Sequence, residues 1–392
     1  METIDQPRNW LASLSTRLQF APKVIGSDYQ PHAIEWITKK CEDPLGRRDA
    51  NQYVSFTRNG EKCMIVMGGW CPRRESRRND IYESISLFRS LKLVTDSAEW
   101  SRRCNFSAIS SQDGKHIYVM GGDDGSIKAD VWLSPDYGRS FQLQVSQAPW
   151  KGRVEFCTTL SQAGEILICG GRIPARSGPG TYLNDIWLSN DKGVTWNYIC
   201  DSAPWKKRAG AGLICLDDRV ILVGGTNETF ALDDVWSSSD SGRTWIRVNS
   251  QPTPWRGRRN FKLVSDTVSN ELLMLGGTDA DGIQLTDSWA SVDFGKTWMP
   301  RKHLPSAVSQ APAVATNDGK LVIVGSNTRV ESVSDLRYII RDCLFMLSLG
   351  RRLEDKIPRH HWISSIIPFT VDTRLLWDRR EVPWKEVTAT PP

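Results

Sequence analysis

The residues best suited to chemistry in this sequence are arginines that each end a short basic segment. The segments read WSRR, PWKGR, PWKKR and PWRGR, with a weaker form, PLGRR, nearer the N-terminus. They end at Arg103, Arg153, Arg208, Arg258 and Arg48, respectively. A guanidinium group pairs with a carboxylate or phosphate through two hydrogen bonds, so these connector arginines together predict a site for an anionic or acidic ligand. The interpretation that we favour is instead that each one braces its own part of the fold by bonding backbone carbonyls or a neighbouring acid.

Further arginines lie in segments that follow a Gly pair. The segments WCPRRESRRND and GRIPARSGPGTYLND carry Arg73, Arg74, Arg77, Arg78, Arg172 and Arg176. Variable loops on a rigid scaffold commonly carry specificity, and clustered basic residues attract acidic partners. We therefore expect Arg73, Arg74 and Arg172 to belong to a binding surface.

A second pattern, D-x-W-x-S-x-D-x-G-x-[ST]-[WF], occurs four times, in DVWLSPDYGRSF, DIWLSNDKGVTW, DVWSSSDSGRTW and DSWASVDFGKTW. In a tight hairpin, Asp accepts hydrogen bonds from backbone N–H groups and Gly supplies a left-handed residue. One carboxylate per hairpin falls short of the 6–8 oxygen ligands of Ca²⁺, so no metal is expected. We interpret the motif as structural, through Ser134, Asp136, Gly138, Ser189, Asp191, Gly193, Trp196, Ser238, Asp240, Gly242, Trp245, Ser291, Asp293, Gly295 and Trp298.

The spacing of these motifs indicates the elements that position them. The hairpin motif recurs about every fifty residues, and so does a Gly pair that follows a continuous apolar run such as CMIVM or ILIC. Runs of this kind are typical of strands buried on both faces. A period near fifty predicts an all-β fold, a β-propeller with four antiparallel strands per blade. The connector arginines then lie near the mouth of its central funnel.

We predict six blades, with the last one shared between the two ends of the chain. The segment AIEWITKKCEDPLGRR supplies the outer strand and connector that the sixth repeat lacks, and such sharing hides open sheet edges. Seven blades is the alternative, if the region after residue 330 contributes strands. The predicted propeller spans 20–347, between tails at 1–19 and 348–392, with blade units at about 49–103, 104–153, 154–208, 209–258, 259–309, and 310–347 with 20–48.

Composition narrows the class of protein. The 392 residues carry a formal net charge of +5, which does not indicate specific nucleic-acid binding. There is no signal peptide pattern and no apolar run of the ~20 residues that a membrane span needs. The nine cysteines form no CxxC pair. Reduced thiols in a cytoplasmic or nuclear protein are the favoured interpretation.

The repeat resembles two propeller families. The connector with Pro and Arg, the apolar strand with its Gly pair and the D-x-W strand resemble the Kelch repeat. The S-x-D-x-G-x-T-W hairpin is similar to the Asp-box, or BNR repeat, of sialidases and sortilin-type propellers. Together these resemblances cover roughly residues 49–325. A galactose oxidase-like copper site would require grouped His and Tyr ligands, and the five His residues show no such grouping.

The resemblance implies a non-catalytic scaffold or adaptor that binds a protein partner through the funnel face, without a cofactor. The alternative is a sialidase-like glycan-binding protein or glycoside hydrolase. That activity requires three arginines around a substrate carboxylate and a Tyr–Glu pair; Glu155 is the one suspected carboxylate, and no such pair can be assigned. Arg172-Ile173-Pro174 matches the sialidase Arg-Ile-Pro motif by letter, but its place inside the third repeat favours coincidence.

Overall fold

The computed structural model describes residues 48–85, 91–175, 180–248, 252–266, 271–301 and 303–304. Four strands at 34–40, 313–315, 321–324 and 328–334 are described by their backbone alone. The predicted tails at 1–19 and 348–392, and Arg176, lie outside the described residues. The chain divides into two units, Met1–Val333 and Ser334–Pro392, and the propeller belongs to the first.

The first strand, β1 (Ile34–Lys40), precedes five four-stranded sheets. Blades 1 and 2 contain β2 (Gln52–Arg58), β3 (Glu61–Cys71), β4 (Ser76–Ile85) and β5 (Lys92–Thr95), then β6 (Ser107–Ser110), β7 (Ile117–Asp123), β8 (Ile127–Ser134) and β9 (Gln142–Val145). Blade 3 contains β10 (Cys157–Leu160), β11 (Ile166–Cys169), β14 (Ile186–Ser189) and β15 (Asn197–Cys200), with a small hairpin of β12 (Arg172–Ile173) and β13 (Thr181–Tyr182) between its second and third strands. Blades 4 and 5 contain β16 (Gly212–Leu216), β17 (Arg219–Val223), β18 (Val235–Ser238) and β19 (Ile246–Arg247), then β20 (Lys262–Asp266), β21 (Glu271–Leu275), β22 (Ser288–Ser291) and β23 (Met299–Arg301).

Within each blade, neighbouring strands pair antiparallel. In blade 3, for example, Ile166 pairs with Leu160 on one side and with Ser189 on the other. The innermost strands β2, β6, β10, β16 and β20 follow one another around the centre. The structure is thus a β-propeller with four antiparallel strands per blade, as predicted.

The number of blades differs from the prediction. The structure shows five blades, and not the six that were predicted or the seven of the alternative. The connector Arg and the Gly pair recur in blades 1 to 5, and the D-x-W strand occurs in blades 2 to 5. A further sheet combines β24 (Ala313–Ala315), β25 (Leu321–Val324) and β26 (Thr328–Ser334) in the order β1-β26-β25-β24. It lacks those markers.

The second strand of each blade forms the core between adjacent sheets. Blade 3 presents Ile166 and Ile168 to a cluster that also contains Met120 of blade 2. Because each sheet is covered on both faces, residues 166–169 are all buried, which is why the apolar run is continuous.

The connector tryptophans complete this packing at the junctions. Trp150 follows blade 2 and lies edge-on against Trp196 of the blade 3 hairpin, with ring centroids 5.9 Å apart. An edge-to-face pair of this kind stabilises by about 1 kcal/mol beyond its buried area. The same arrangement joins Trp100 to Phe141, Trp205 to Trp245 and Trp255 to Trp298.

The Gly pair allows the second strand to turn away close to the next connector. Gly170 and Gly171 have φ values of +62° and +89°. A Cβ atom on Gly170 would lie 2.9 Å from the Arg208 carbonyl oxygen, and one on Gly171 would lie 2.6 Å from the Phe156 Cβ. Larger residues are therefore excluded by both backbone conformation and contact.

Candidate functional site

The connector arginines lie inside the blades. Arg153 donates from Nη1 and Nη2 to the two carboxylate oxygens of Asp185, each at 2.7 Å. Its Nη1 also donates to the Gly170 carbonyl at 2.9 Å, and its Nε to the Lys151 carbonyl at 2.9 Å. The Arg153 side chain is 0% exposed. Its donors are thus engaged within the protein.

The other connector arginines repeat this arrangement. Each pairs with an Asp in the third-strand segment of the blade that follows it, which reads D-x-W except in blade 1, where it reads Asp80-Ile81-Tyr82. Each also donates to the carbonyl of the first Gly of that blade's Gly pair. The pairs are Arg48–Asp80, Arg103–Asp130, Arg208–Asp234 and Arg258–Asp287. Their arginine side chains are at most 6% exposed. The structure therefore places all five guanidinium groups as braces of the fold and not at a surface where an anion could reach them.

The backbone of the connector binds the preceding blade. The Arg153 N–H donates to the Lys128 carbonyl, and the Arg153 carbonyl accepts from the Gly122 N–H at 3.1 Å. Since its side chain enters blade 3, Arg153 links two blades. Gly69, Gly171 and Gly225 donate to Arg103, Arg208 and Arg258 in the same way.

These ion pairs change the acidity of the carboxylates. Burial alone would raise the pKa of Asp185, but the hydrogen bonds and positive charge of Arg153, with a hydrogen bond from Trp187, hold the pKa below its ordinary value. Asp234 and Asp287 have lowered pKa values for the same reasons. The three carboxylates are therefore ionised at neutral pH.

The predicted hairpin motifs form closed hydrogen-bond networks. Asp293 accepts from the Thr297 N–H at 2.9 Å and the Thr297 Oγ1 at 2.6 Å, and the Ser291 Oγ donates to it at 2.9 Å. The Gly295 N–H donates to the Ser291 Oγ at 2.8 Å, and the Trp298 indole N–H donates to the Gly295 carbonyl. The motifs of residues 134–141, 189–196 and 238–245 share the Ser–Asp and Gly–Ser bonds. Their polar groups thus satisfy one another.

The residue two positions after each connector Arg forms a ring around the central channel. These residues are Ala50, Asn105, Glu155, Gly210 and Asn260, and all five have φ between +52° and +62°. Their backbones are joined from blade to blade by four hydrogen bonds, in which the N–H groups of Asn105, Glu155, Gly210 and Asn260 each donate to the carbonyl of the preceding member at 2.8–3.4 Å. Left-handed conformations are uncommon outside Gly and Asn, and strained residues of this kind cluster at functional sites.

This ring surrounds a cavity of about 160 Å³ lined by residues of all five blades. Its polar walls include Asn105, Glu155 and Asn260, and Tyr53 and Lys262 extend into it from β2 and β20. The volume is below the roughly 300–1,000 Å³ of a drug-sized ligand site, so the cavity suits a side chain or a small molecule.

The loops between second and third strands lie at the same end as the ring. Thr226 forms a bridge with Ala209, next to ring residue Gly210, and with Ala231 across its own loop. Equivalent bridges join Arg172 to Val154 and Thr278 to Arg259. We call this end, comprising the ring, its cavity and these loops, the mouth. The hairpin motifs connect third to fourth strands and lie at the opposite end.

The predicted loop arginines occupy different positions at the mouth. Arg73 and Arg74 lie in the exposed turn between β3 and β4. Arg172 donates from Nε to the carboxylate of Glu155 at 2.7 Å, so two residues singled out in the sequence are brought together. Arg77 and Arg78 pair with Asp123 and Asp80, respectively.

The mouth also presents apolar side chains that sequence analysis did not single out. Phe230 in the blade 4 loop is 57% exposed and Ile283 in the blade 5 loop is 54% exposed. The Lys206 ammonium lies 5.6 Å from the centroid of the Phe230 ring. Ring members were also missed apart from Glu155, although small, Asn or Gly residues at a fixed place after the connector Arg were a usable signal.

Within the described part of the chain, no group of three or more His, Cys, Asp or Glu residues could hold a metal ion. No helix there has the length and apolar character to cross a membrane. The described cysteines are free thiols.

The strand order and the Arg–Asp braces together define a propeller built from Kelch-type repeats. A family model described as the KLHDC2/KLHL20/DRC7 Kelch-repeats domain matches residues 53–277. The match covers more than half of the chain, so the protein belongs to this Kelch-repeat family. No curated protein shows a significant match to the chain.

Proposed function

We propose that the protein is a non-catalytic scaffold or adaptor that binds a segment of a partner protein at the mouth. Kelch-repeat propellers are commonly protein-interaction scaffolds. The observation that carries the proposal is the polar cavity inside the ring of left-handed residues, to which all five blades contribute. A small cavity with exposed loops around it suits one anchoring side chain and a wider contact surface.

The chemistry of the loops supports a segment with both apolar and acidic residues. Phe230 and Ile283 offer apolar contacts, since each residue is more than half exposed. Arg73 and Arg74 are exposed on blade 1 and would attract acidic residues. Arg172 is part of an ion pair, so its role in binding would be to orient Glu155 at the cavity edge.

The alternative, a sialidase-like activity, requires free arginines around a substrate carboxylate. The connector arginines that would supply them are paired with aspartates inside the blades. The hairpin geometry is compatible with Asp-box ancestry, which we retain as a proposal about origin and not about activity.

The binding proposal is tested with peptides selected by display on the folded protein. Phe230→Ser alters the mouth, and Val292→Ser is its control, because Val292 lies in a hairpin at the opposite end and is 55% exposed. We expect Phe230→Ser to weaken the selected peptides at least about tenfold, the cost of losing one aromatic anchor, and Val292→Ser to leave affinity unchanged. Equal losses in both variants, or photo-crosslinks confined to the hairpin end, would reject the mouth as the binding site.

We also propose that the N-terminal strand β1 contributes to closure of the five-bladed propeller, through the sheet of order β1-β26-β25-β24. Its innermost strand, β24, lies next to β20 of blade 5, and pairing of β1 with β26 would bring the N-terminal segment against the last repeat. Deletion of residues 1–40 should then lower the melting temperature of the whole propeller. An unchanged melting temperature would reject closure by the N-terminal strand.

A cytoplasmic or nuclear location is our proposal for where binding occurs. It is supported by the free thiols among the described cysteines, which persist in reducing compartments. Fractionation of cells that express the full chain tests it, and recovery in the secreted fraction would exclude it.

A further inference from the structure

Lys262 occupies an unusual position for a lysine. It begins β20 of blade 5 and lines the mouth cavity. Its Nζ lies 4.1 Å from the centroid of the Tyr53 ring, on β2 of blade 1. The side chain therefore extends across the channel to another blade, in contrast to the solvated surface lysines of the chain.

The ammonium group has an aromatic neighbour but no acidic one among the described residues. The other titratable side chains that line the cavity are Tyr53 and Glu155, and Glu155 is engaged by Arg172. None of the ion pairs in the described part of the chain includes Lys262. Burial without a counter-charge disfavours the ammonium form and lowers the pKa of Lys262 to about 8.

We propose that the Lys262 amine is a nucleophile that captures small aldehydes as reversible imines in the mouth cavity. The nitrogen lone pair attacks the carbonyl carbon and a C–N bond forms. The carbinolamine then loses its oxygen as water, so aldehyde and amine give imine and water without an oxidant or reductant. The position of the Lys262 amine in a partly enclosed cavity distinguishes it from the exposed lysines of the chain.

The size and walls of the cavity limit the class of aldehyde. A volume of about 160 Å³ admits a molecule of a few heavy atoms. Polar residues line it, among them Asn51 and Gln52, whose amide groups are of the kind that donates hydrogen bonds to a carbonyl or hydroxyl oxygen. The site therefore favours short aldehydes that carry oxygen groups over long apolar ones. This inference concerns the same cavity as the proposed partner binding, but its test does not depend on a partner.

The test uses the full chain, glycolaldehyde as the probe and borohydride to trap the imine, followed by peptide mass spectrometry. At pH 7.4 an amine of pKa 8 has roughly 200 times the neutral fraction of an ordinary lysine, partly offset by lower intrinsic nucleophilicity. We expect Lys262 to be labelled about tenfold faster than the exposed residues Lys151 and Lys296 of the same molecule. Labelling no faster than at these two positions would overturn the proposal.

A second variant separates reactivity from folding. The Tyr53 ring stabilises the ammonium form through a cation–π contact, so Tyr53→Leu should lower the pKa of Lys262 further and increase its labelling at pH 7.4 about twofold. The pH dependence of the rate should have its midpoint near 8 in the wild type and lower in the variant. If the midpoint lies near that of the exposed lysines in a protein that is folded by circular dichroism, Lys262 is not an activated amine.

Discussion

Replacement of Arg153 by Met tests whether the connector arginines brace the blades or bind a ligand. The substitution removes two charged hydrogen bonds to Asp185, one to the Gly170 carbonyl and one to the Lys151 carbonyl. It leaves the Asp185 carboxylate with a hydrogen bond from the Trp187 indole N–H at 2.9 Å. A half-buried carboxylate thus loses its counter-charge.

The expected loss follows from this geometry. Removal of one partner of a buried ion pair costs about 3–5 kcal/mol, and the Arg153 side chain is 0% exposed. At about 2.1 cal/mol/K per residue for the entropy of unfolding, a propeller of about 300 residues would melt roughly 5–8 °C lower. Tryptophan fluorescence during urea or thermal unfolding reports the change, because the Arg153 guanidinium lies 5.8 Å from the Trp150 ring.

Two further variants make the result decisive. Lys151→Met, two residues earlier and exposed, should change stability by no more than about 0.5 kcal/mol. In Arg153→Met/Asp185→Asn the uncompensated charge is gone, so the double variant should recover part of the loss. A loss below about 1 kcal/mol for Arg153→Met would refute the bracing role and return Arg153 to the candidates for ligand binding.

Three other outcomes follow from the structure. Glu155→Gly should change the free energy of unfolding by no more than about 1 kcal/mol in urea titrations. Relief of the left-handed backbone at φ +52° offsets the loss of a partly exposed ion pair with Arg172, and Gly210 already occupies the same place in blade 4. A loss above about 2 kcal/mol would contradict this expectation. Asp293→Ala should lower the free energy of unfolding by about 1–2 kcal/mol, because its hairpin hydrogen bonds are lost. Those bonds outweigh burial and lower the pKa of Asp293. The difference in stability from the wild type, measured by thermal melts, should therefore be present above about pH 4 and shrink as the pH falls further. Lys262→Met should be more stable than the wild type by about 1–3 kcal/mol below pH 8. The folded-state pKa of Lys262, about 8, lies below the ordinary 10.5, so the wild type gains stability as the pH rises between these values and the advantage of the variant should disappear by pH 10.5. A difference that does not depend on pH would contradict the burial of a charged amine.

The fold was predictable because its markers are repeated and local. The Gly pair at Gly170-Gly171 needs both positive φ and close contact with the next connector, which leaves few substitutes and a visible pattern. The D-x-W strand is visible for a similar reason, since Asp185 serves both Arg153 and Trp187. The predicted sixth blade was wrong, because after Trp298 the sequence no longer carries the markers that indicate a blade.

The candidate site was harder to predict, because its members are defined by what differs between repeats. Ala50, Asn105, Glu155, Gly210 and Asn260 share a backbone conformation and a hydrogen-bonded ring, but no side chain. Lys262 and Tyr53 lie far apart in the sequence and come together only because β20 and β2 face the same channel. Spacing alone does not reveal such a contact.

The same repeat that makes the connector arginines conspicuous also argues against them as the specific contacts of the mouth. The five connector arginines make equivalent contacts, since each bonds an Asp and a Gly carbonyl of the blade that follows it. Recognition of one partner requires asymmetry, which the ring supplies through an acid in blade 3, amides in blades 2 and 5 and an amine that crosses from blade 5 to blade 1. Charge reversal at Arg153 would therefore report on folding, whereas Glu155, Phe230 and Lys262 can be changed to examine binding on an intact propeller.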